Sequence, residues 1–216
     1  MDGISDLHID AVVNARPGGA VVPAVQRTVP AETGGGIKLV AFCFFAAAGI
    51  VSHINTINAC IRELGFAHTV LHNALHFDRY RQLGTTTPRD YASLLAQMAR
   101  GTLVSKAASV EMLAILRQQH YNTMLTKDFP QYYLDCEETG APELLWVASK
   151  SGSMNACRND GGIVHTPYGE YVIVLMNKDF HDIIEYNDHP AIVYGARVSR
   201  MILDQVLACE GKLWLD

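Results

Sequence analysis

The sequence predicts an α+β fold in which a helical lobe packs against a small antiparallel sheet. Helix-type periodicity dominates the chain from Ile50 onward, two apolar strand-like runs follow at 144–150 and 171–176, and a last helical run closes the chain. With 49% hydrophobic and 18% charged residues among 216, the chain can bury a proper core. We therefore expect a single domain over residues 1–216.

Three parts of this domain differ in pattern. Residues 1–49 have little periodicity and end in a run of glycines, with short strands possible over 10–14 and 20–29 where Pro23 and Pro30 limit them. We expect the helical lobe over 50–143, and the strands with the closing helix over 144–216.

Four helices are predicted, each from apolar spacing and cap residues. The first begins near Ile50, ends at Gly65, and buries Ile54, Ile57, Cys60, Ile61 and Leu64. The second opens at Pro88 after a Thr87 cap and turns Tyr91, Leu94, Leu95 and Met98 inward. The third starts at Ser109 and runs through Gln119, followed by loop over 120–144. The fourth spans roughly Pro190–Cys209.

Between the two long strands, Gly161–Val164 is expected to add a short strand. Arg158 and Asp160 are interpreted as a charged turn in which they form an ion pair or a cap. Residues 168–170 suit a hairpin turn.

His68, His72 and His76 fall four residues apart, which indicates a short amphipathic helix. The same spacing would place the three imidazoles on one helical face, as a metal site requires. A single ion cannot reach the outer pair, however, and no glutamate lies between them. We therefore predict the polar face of a helix and neither a metal nor a cofactor.

Composition excludes several classes of function. The formal net charge is -5 and no Lys/Arg cluster occurs, so nucleic acid is not an expected partner. The longest apolar stretch, from Leu39 to Val51, is too short to span a bilayer. Five cysteines without a CxxC pair are expected to be mostly buried apolar residues. No signal-peptide pattern follows Met1, so the sequence as given is that of a cytoplasmic chain, but a missing N-terminal segment would remove a signal peptide too and the location is left open.

The segment Trp146 to Ser153 contains the main candidate functional residues. It reads as a short strand that ends in a cation, two hydroxyls and a glycine: Lys150, Ser151, Gly152 and Ser153. Such a strand edge can hold a carboxylate or an acyl group against the backbone, with N–H groups free to stabilise an oxyanion. The alternative interpretation is that Lys150 is a surface lysine and that the serines belong to a strand edge rich in small residues; the flanking strand and turn favour the functional role for Lys150.

Together with other segments, the motif at Lys150–Ser153 resembles the corresponding motif of the class A β-lactamases and penicillin-binding proteins. Ser52 to Asn58 followed by Leu64-Gly65 resembles the family's Ser-Asp-Asn segment and the next helix. Thr86 to Asp90 and Met112 to Gln119 are also typical of this β-lactamase/transpeptidase-like superfamily. The resemblance covers roughly residues 50–208, and it implies the fold with its N-terminal part incomplete. Family members are often periplasmic or secreted.

The resemblance implies a serine hydrolase site that acts on an amide, ester or β-lactam carbonyl of a small-molecule acyl substrate. In it Lys150 and Ser52 would be catalytic, whereas Ser151, Gly152 and Ser153 would bind substrate. Ser52 would relay a proton to the leaving group, although serine is also a good helix N-cap.

Two departures bear on activity. No serine in the chain is followed by lysine three residues later; by the family's spacing the S-x-x-K nucleophile would fall before Met1, and whether it lies there cannot be read from this sequence. No glutamate lies between Glu63 and Glu111, where the family's deacylating residue is expected. We therefore expect little or no turnover, and the alternative is a non-catalytic pseudoenzyme that binds a carboxylate or a peptidoglycan-like ligand. The oligomeric state cannot be read from the sequence.

Overall fold

The computed structural model describes residues 7–9, 13–14, 54–73, 84–120, 124–154, 157–178, 187–212 and 214–215. Six helices occur in these ranges. They are α1 (Ile54–Glu63), α2 (Pro88–Ala99), α3 (Lys106–Arg117), the single turns α4 (Gln131–Leu134) and α5 (Cys136–Thr139), and α6 (Pro190–Cys209).

The strands form one six-stranded sheet and one two-stranded pair. In the sheet, β8 (Gly169–Asn177) and β7 (Cys157–Thr166) are the long central strands. β1 (Leu7–Ile9) and β2 (Val13–Asn14) pair with β8, whereas β5 (Trp146–Ser149) and β6 (Gly152–Met154) pair with β7, all antiparallel. The separate pair joins β3 (Val70–Leu71) to β4 (Gly84–Thr85).

Two apolar layers cover the two faces of this sheet. Side chains of α1, α2 and α3 pack on one face against Ile163, Val172 and Val174. The turn at 124–129 and α6 pack on the other face against Ile173 and Leu175. β8 is thus buried on both faces, which explains its uninterrupted apolar run. The α+β prediction is confirmed.

Local chemistry predicted some helix boundaries correctly. Thr87 caps α2 by accepting a hydrogen bond from Asp90 N–H at 3.1 Å, with Pro88 in the first turn. All four inward residues predicted for α2 are buried. α6 spans Pro190–Cys209 as expected, and Gly65 after α1 has the positive φ of a C-terminal glycine (86°).

Other predictions were wrong. α3 is capped by Ser105, whose side chain accepts from Ala108 N–H; Ser109 lies inside the helix, buried, and donates to Leu103 O. The stretch at 68–73 contains turn and β3 in place of a histidine-faced helix, and His76 lies outside the described residues. Of the four cysteines that the structure describes, Cys157 alone is buried.

The largest correction concerns the strand between β5 and β8. The short strand predicted at 161–164 is the ten-residue β7, and it includes Arg158 and Asp160. Neither residue lies in a turn, and both are buried. The helical repeats of the flanking regions depend on neighbours in sequence, whereas Asp160 is held inside the strand by the N–H of Leu125, 35 positions away.

Candidate functional site

The predicted motif continues the edge strand of the sheet. β5 pairs with β7 so that Ser149 lies opposite Gly162, and β6 pairs with β7 so that Gly152 lies opposite Asn159. β5 and β6 thus pair with β7 in the same register. Continued through residues 150–151, this register places Lys150 opposite Gly161 and Ser151 opposite Asp160. Lys150 N–H donates to Gly161 O at 3.0 Å.

Lys150 and Ser151 face opposite sides of the sheet. A Cβ on Gly161 would meet the ring of Tyr91 from α2, whereas a Cβ on Gly162 would meet Leu125 in the 124–129 turn. Because side chains alternate along a strand and opposite residues share a face, Lys150 belongs to the side of the helical lobe. Ser151 belongs to the side of Leu125.

Tyr91 supports the motif from the helical lobe. Its hydroxyl donates to Lys150 O at 3.2 Å and to Gly161 O at 3.4 Å. The ring is buried and lies where Gly161 leaves room for it. Sequence reasoning placed Tyr91 in the core but missed this contact, because the two partners are separated by 59 positions in the chain.

The motif remains accessible to a ligand. Lys150, Ser151 and Gly152 are half-buried and Ser153 is exposed. The Lys150 ammonium donates to the backbone carbonyl of Ser151. Within the described part of the sheet, β5 and β6 have no neighbour on the side away from β7.

Asp160 is the most perturbed carboxyl group near the motif. Burial raises its pKa from 3.8 to about 7, although N–H groups of Leu125 and Gly161 and the charge of Lys150 act in the opposite direction. Its Oδ2 accepts from Leu125 N–H at 3.1 Å and its Oδ1 from Gly161 N–H at 2.9 Å. Sequence reasoning missed this group because the two strand residues resembled a turn.

Arg158, on the same side of β7, holds the connection between β6 and β7. Its Nη1 donates to Met154 O and, at 2.8 Å, to Cys157 O. Arg158 is buried and lies opposite Ser153. A cation therefore lies behind the hydroxyls of the motif, where it adds positive potential for an anionic ligand.

A cavity of about 570 Å³ opens beside β5. Ser149 and Trp146 line it, together with the end of α3 and the turns α4 and α5, but residues 150–153 do not. On its wall, the Arg117 guanidinium lies 4.5 Å from the ring centroid of Trp146, and the Trp146 indole stacks on His165 at 4.8 Å. The cavity thus adjoins the motif through Ser149 without containing it.

The remaining expected residues divide into two groups. Ser52 lies outside the described residues, so its role stays a prediction. His68 donates its backbone N–H to Asp90 at 2.8 Å, and Asp90 also accepts from Thr69. Among the residues described, no group of three or more His, Cys, Asp or Glu side chains could hold a metal ion.

In the same ranges, no helix has the length and apolar character needed to cross a bilayer.

Solved structures show where this architecture occurs. A β-lactamase from Sphaerobacter thermophilus DSM 20745 superimposes with a TM-score of 0.57 at 22% identity, over 71% of this chain and 53% of that one. PBP-A superimposes with a TM-score of 0.51 at 24% identity, over 69% and 49%. A PBP-A mutant, solved as an acyl-enzyme complex with penicillin G, gives 0.54 at 21%, over 90% and 71%.

At these identities the likenesses show the fold alone, and the aligned part spans about half the length of the first two relatives. A comparison with curated proteins gives no match. The sequence profile of a family described as the beta-lactamase enzyme family matches residues 47–206, which is most of the chain. The chain therefore belongs to the beta-lactamase enzyme family, as a serine hydrolase-like member of it.

Proposed function

We propose that the chain carries the substrate-binding and proton-relay parts of an acyl-transfer site for a small carboxylate-bearing substrate with an amide, ester or β-lactam carbonyl. The observation that carries this proposal is the accessible sheet edge at 150–153, which combines a cation, two hydroxyls and a glycine. In this proposal Lys150 and Ser52 are catalytic, and Ser151, Gly152 and Ser153 bind the substrate.

The hydrogen-bond pattern of the edge supports the binding role. In an antiparallel pair, residues that exchange backbone bonds alternate with residues whose N–H groups point away from the partner. Lys150 N–H points to β7. The N–H groups of Ser151 and Ser153 therefore point outward, where they can stabilise a developing oxyanion.

Charge supports a carboxylate as the anchoring group of the ligand. Lys150 and Arg158 place two cations at the motif, one on each side of the sheet. The Ser151 hydroxyl can donate to a carboxylate oxygen between them. A relative of this fold forms an acyl-enzyme with penicillin G, which makes penicillin G the first ligand to test.

A second function, non-catalytic binding of the same ligands, is favoured by one observation. No serine among the 216 residues is followed by lysine three positions later, so none of these serines has the lysine that usually activates the nucleophile. A carboxylate-binding edge without that pair would still bind ligand. The two functions differ in whether a covalent bond forms.

Incubation with penicillin G, followed by intact mass measurement and thermal unfolding, separates them. A stable mass adduct, or turnover of nitrocefin, supports acyl transfer, whereas stabilisation without an adduct supports binding alone. Ligand at tenfold its Kd should stabilise the fold by about 1.4 kcal/mol, a rise in Tm of about 3–6 °C.

Lys150→Ala should abolish either response, because it removes the cation at the accessible edge. Lys106→Ala is the matched control, since Lys106 is an exposed lysine at the start of α3. Absence of both adduct and stabilisation in the unsubstituted protein would contradict the proposed function.

A further inference from the structure

Asp160 is a buried carboxyl group immediately behind the accessible motif. The register of β5 and β6 against β7, continued through residues 150–151, places Asp160 opposite Ser151, and opposite residues share one face of the sheet. Because the Lys150 N–H bonds to Gly161 O, the position of Ser151 and Asp160 corresponds to a non-hydrogen-bonded pair, in which the Cα atoms of a regular antiparallel sheet are about 4.5 Å apart. A carboxylate that binds to the Ser151 hydroxyl would therefore lie near the Asp160 carboxyl group.

On the same face of the sheet, the Asp160 carboxyl group also holds the 124–129 turn. Its Oδ2 accepts the N–H of Leu125, whose carbonyl in turn accepts from the Ser199 hydroxyl of α6 at 2.8 Å. Asp160 and Ser199 are both buried. The backbone of Leu125 is thus bound from the sheet and from α6, and both bonds need these two side chains.

The charges around Asp160 leave Lys150 as its main electrostatic partner. Lys127 of the turn pairs with Asp188, and Arg200 of α6 pairs with Asp204. Lys150 lowers the pKa of Asp160, but burial outweighs it and the pKa is about 7. The other charged or titratable residues on these elements are Arg158, Cys157 and His165 of β7, Glu170 and Tyr171 of β8, Asp128 of the turn, Tyr194, Arg197 and Cys209 of α6, and Lys178 just after β8.

We infer that Asp160 is a proton-linked positioning residue: when ionised it binds the Leu125 amide, and it takes up a proton when an anionic ligand occupies Ser151. The ligand half of this inference rests on the proposed function, whereas the Leu125 half does not.

The direction of the linkage follows from charge. Two carboxylates within a few ångströms disfavour each other's ionised form, so a bound carboxylate raises the pKa of Asp160. By reciprocity, ionisation of Asp160 weakens binding of the carboxylate by the same factor. Affinity should therefore be high when Asp160 is protonated and fall as the pH rises through about 7.

The Leu125 half is tested without ligand. A hydrogen bond to a carboxylate is stronger than one to a neutral carboxyl group, so the Leu125 amide resonance should titrate together with the Asp160 carboxyl carbon between pH 5 and 9. An Asp160 carboxyl that titrates in the ordinary range near pH 4, or a Leu125 amide that does not follow it, overturns this half.

The ligand half is tested with penicillin G and its neutral methyl ester, by Kd or, where an adduct forms, by the second-order rate of its formation. Between pH 6 and 8.5 we expect binding of penicillin G to weaken by about fivefold or more. The methyl ester should show no such dependence. Asp160→Asn should bind penicillin G with an affinity that is flat over this range.

The outcomes separate the two proposals. Penicillin G binding that is equal at both pH values contradicts the linkage and leaves the proposed function intact. Failure of penicillin G to bind at any pH rejects the proposed function and the ligand half together, while the Leu125 titration still decides the other half. If Asp160→Asn does not fold, the comparison of penicillin G with its ester in the unsubstituted protein decides whether the linkage exists.

Discussion

Gly161 lies against the ring of Tyr91, and we expect Gly161→Ala to damage the support of the motif. A Cβ at this position would lie 2.4 Å from Tyr91 Cε1 and 3.0 Å from Cδ1. Ordinary contacts between carbon atoms are about 3.5–4.0 Å, so the ring must move by about 1 Å. Tyr91 is only 1% exposed, and its neighbours leave little room for that movement.

Overpacking of this kind costs about 1–3 kcal/mol. Displacement of the hydroxyl also weakens its bonds to Lys150 O and Gly161 O, each worth about 1 kcal/mol at most in the net balance. Together these effects amount to about 1–5 kcal/mol, which should lower the Tm by about 2–20 °C. Urea unfolding of the purified protein gives the free energy directly.

A double-mutant cycle with Tyr91→Leu isolates the contact. Tyr91→Leu alone should destabilise the fold, but in its presence Gly161→Ala should cost much less, because the ring that clashes is gone. If Gly161→Ala is neutral beside an intact Tyr91, or if the two costs add, the close approach of α2 to β7 does not constrain this position.

Two further outcomes are expected. The pKa of Asp160 is about 7 in the folded state and about 3.9 in the unfolded chain, so between these pH values the folded state holds more protons. This carboxyl therefore makes the free energy of unfolding fall as the pH rises from about 4 to 7, by ~4 kcal/mol at most. Urea unfolding at pH 5 and pH 8 should show that Asp160→Asn removes this part of the fall, and an unchanged pH profile in the variant would contradict it. Gly195 of α6 lies against Met124, and a Cβ at this position would be 2.3 Å from Met124 Cγ. Gly195→Ala should therefore cost about 1 kcal/mol by calorimetry, a modest amount because flexible methionine can yield and alanine favours helix. A stabilised variant would show that Met124 does not pack closely on α6.

The parts of the fold that were predictable depend on neighbours in sequence. Thr87 and Pro88 start α2 because the cap and the fixed φ act within one helical turn. Gly65 ends α1 for the same kind of reason. The lysine–serine–glycine motif was found because its residues are contiguous and follow an apolar strand.

The parts that sequence reasoning missed depend on distant contacts. Asp160 is stabilised inside a strand by Leu125, which lies 35 positions away, so its charge was interpreted as a turn signal. His68 is held by Asp90 rather than by helical neighbours. Tyr91 meets Lys150 across the boundary between the helical lobe and the sheet. Periodicity and local composition contain no information on such pairs.

The alternation of Lys150 and Ser151 has a stereochemical consequence. One residue belongs to the side of α2 and the other to the side of Leu125, and the outward N–H groups lie in the plane between them. A ligand that touches all three is fixed at three non-collinear points, so its mirror image cannot make the same contacts. If the proposed function holds, the open rim of the sheet would therefore discriminate between the enantiomers of a chiral acid.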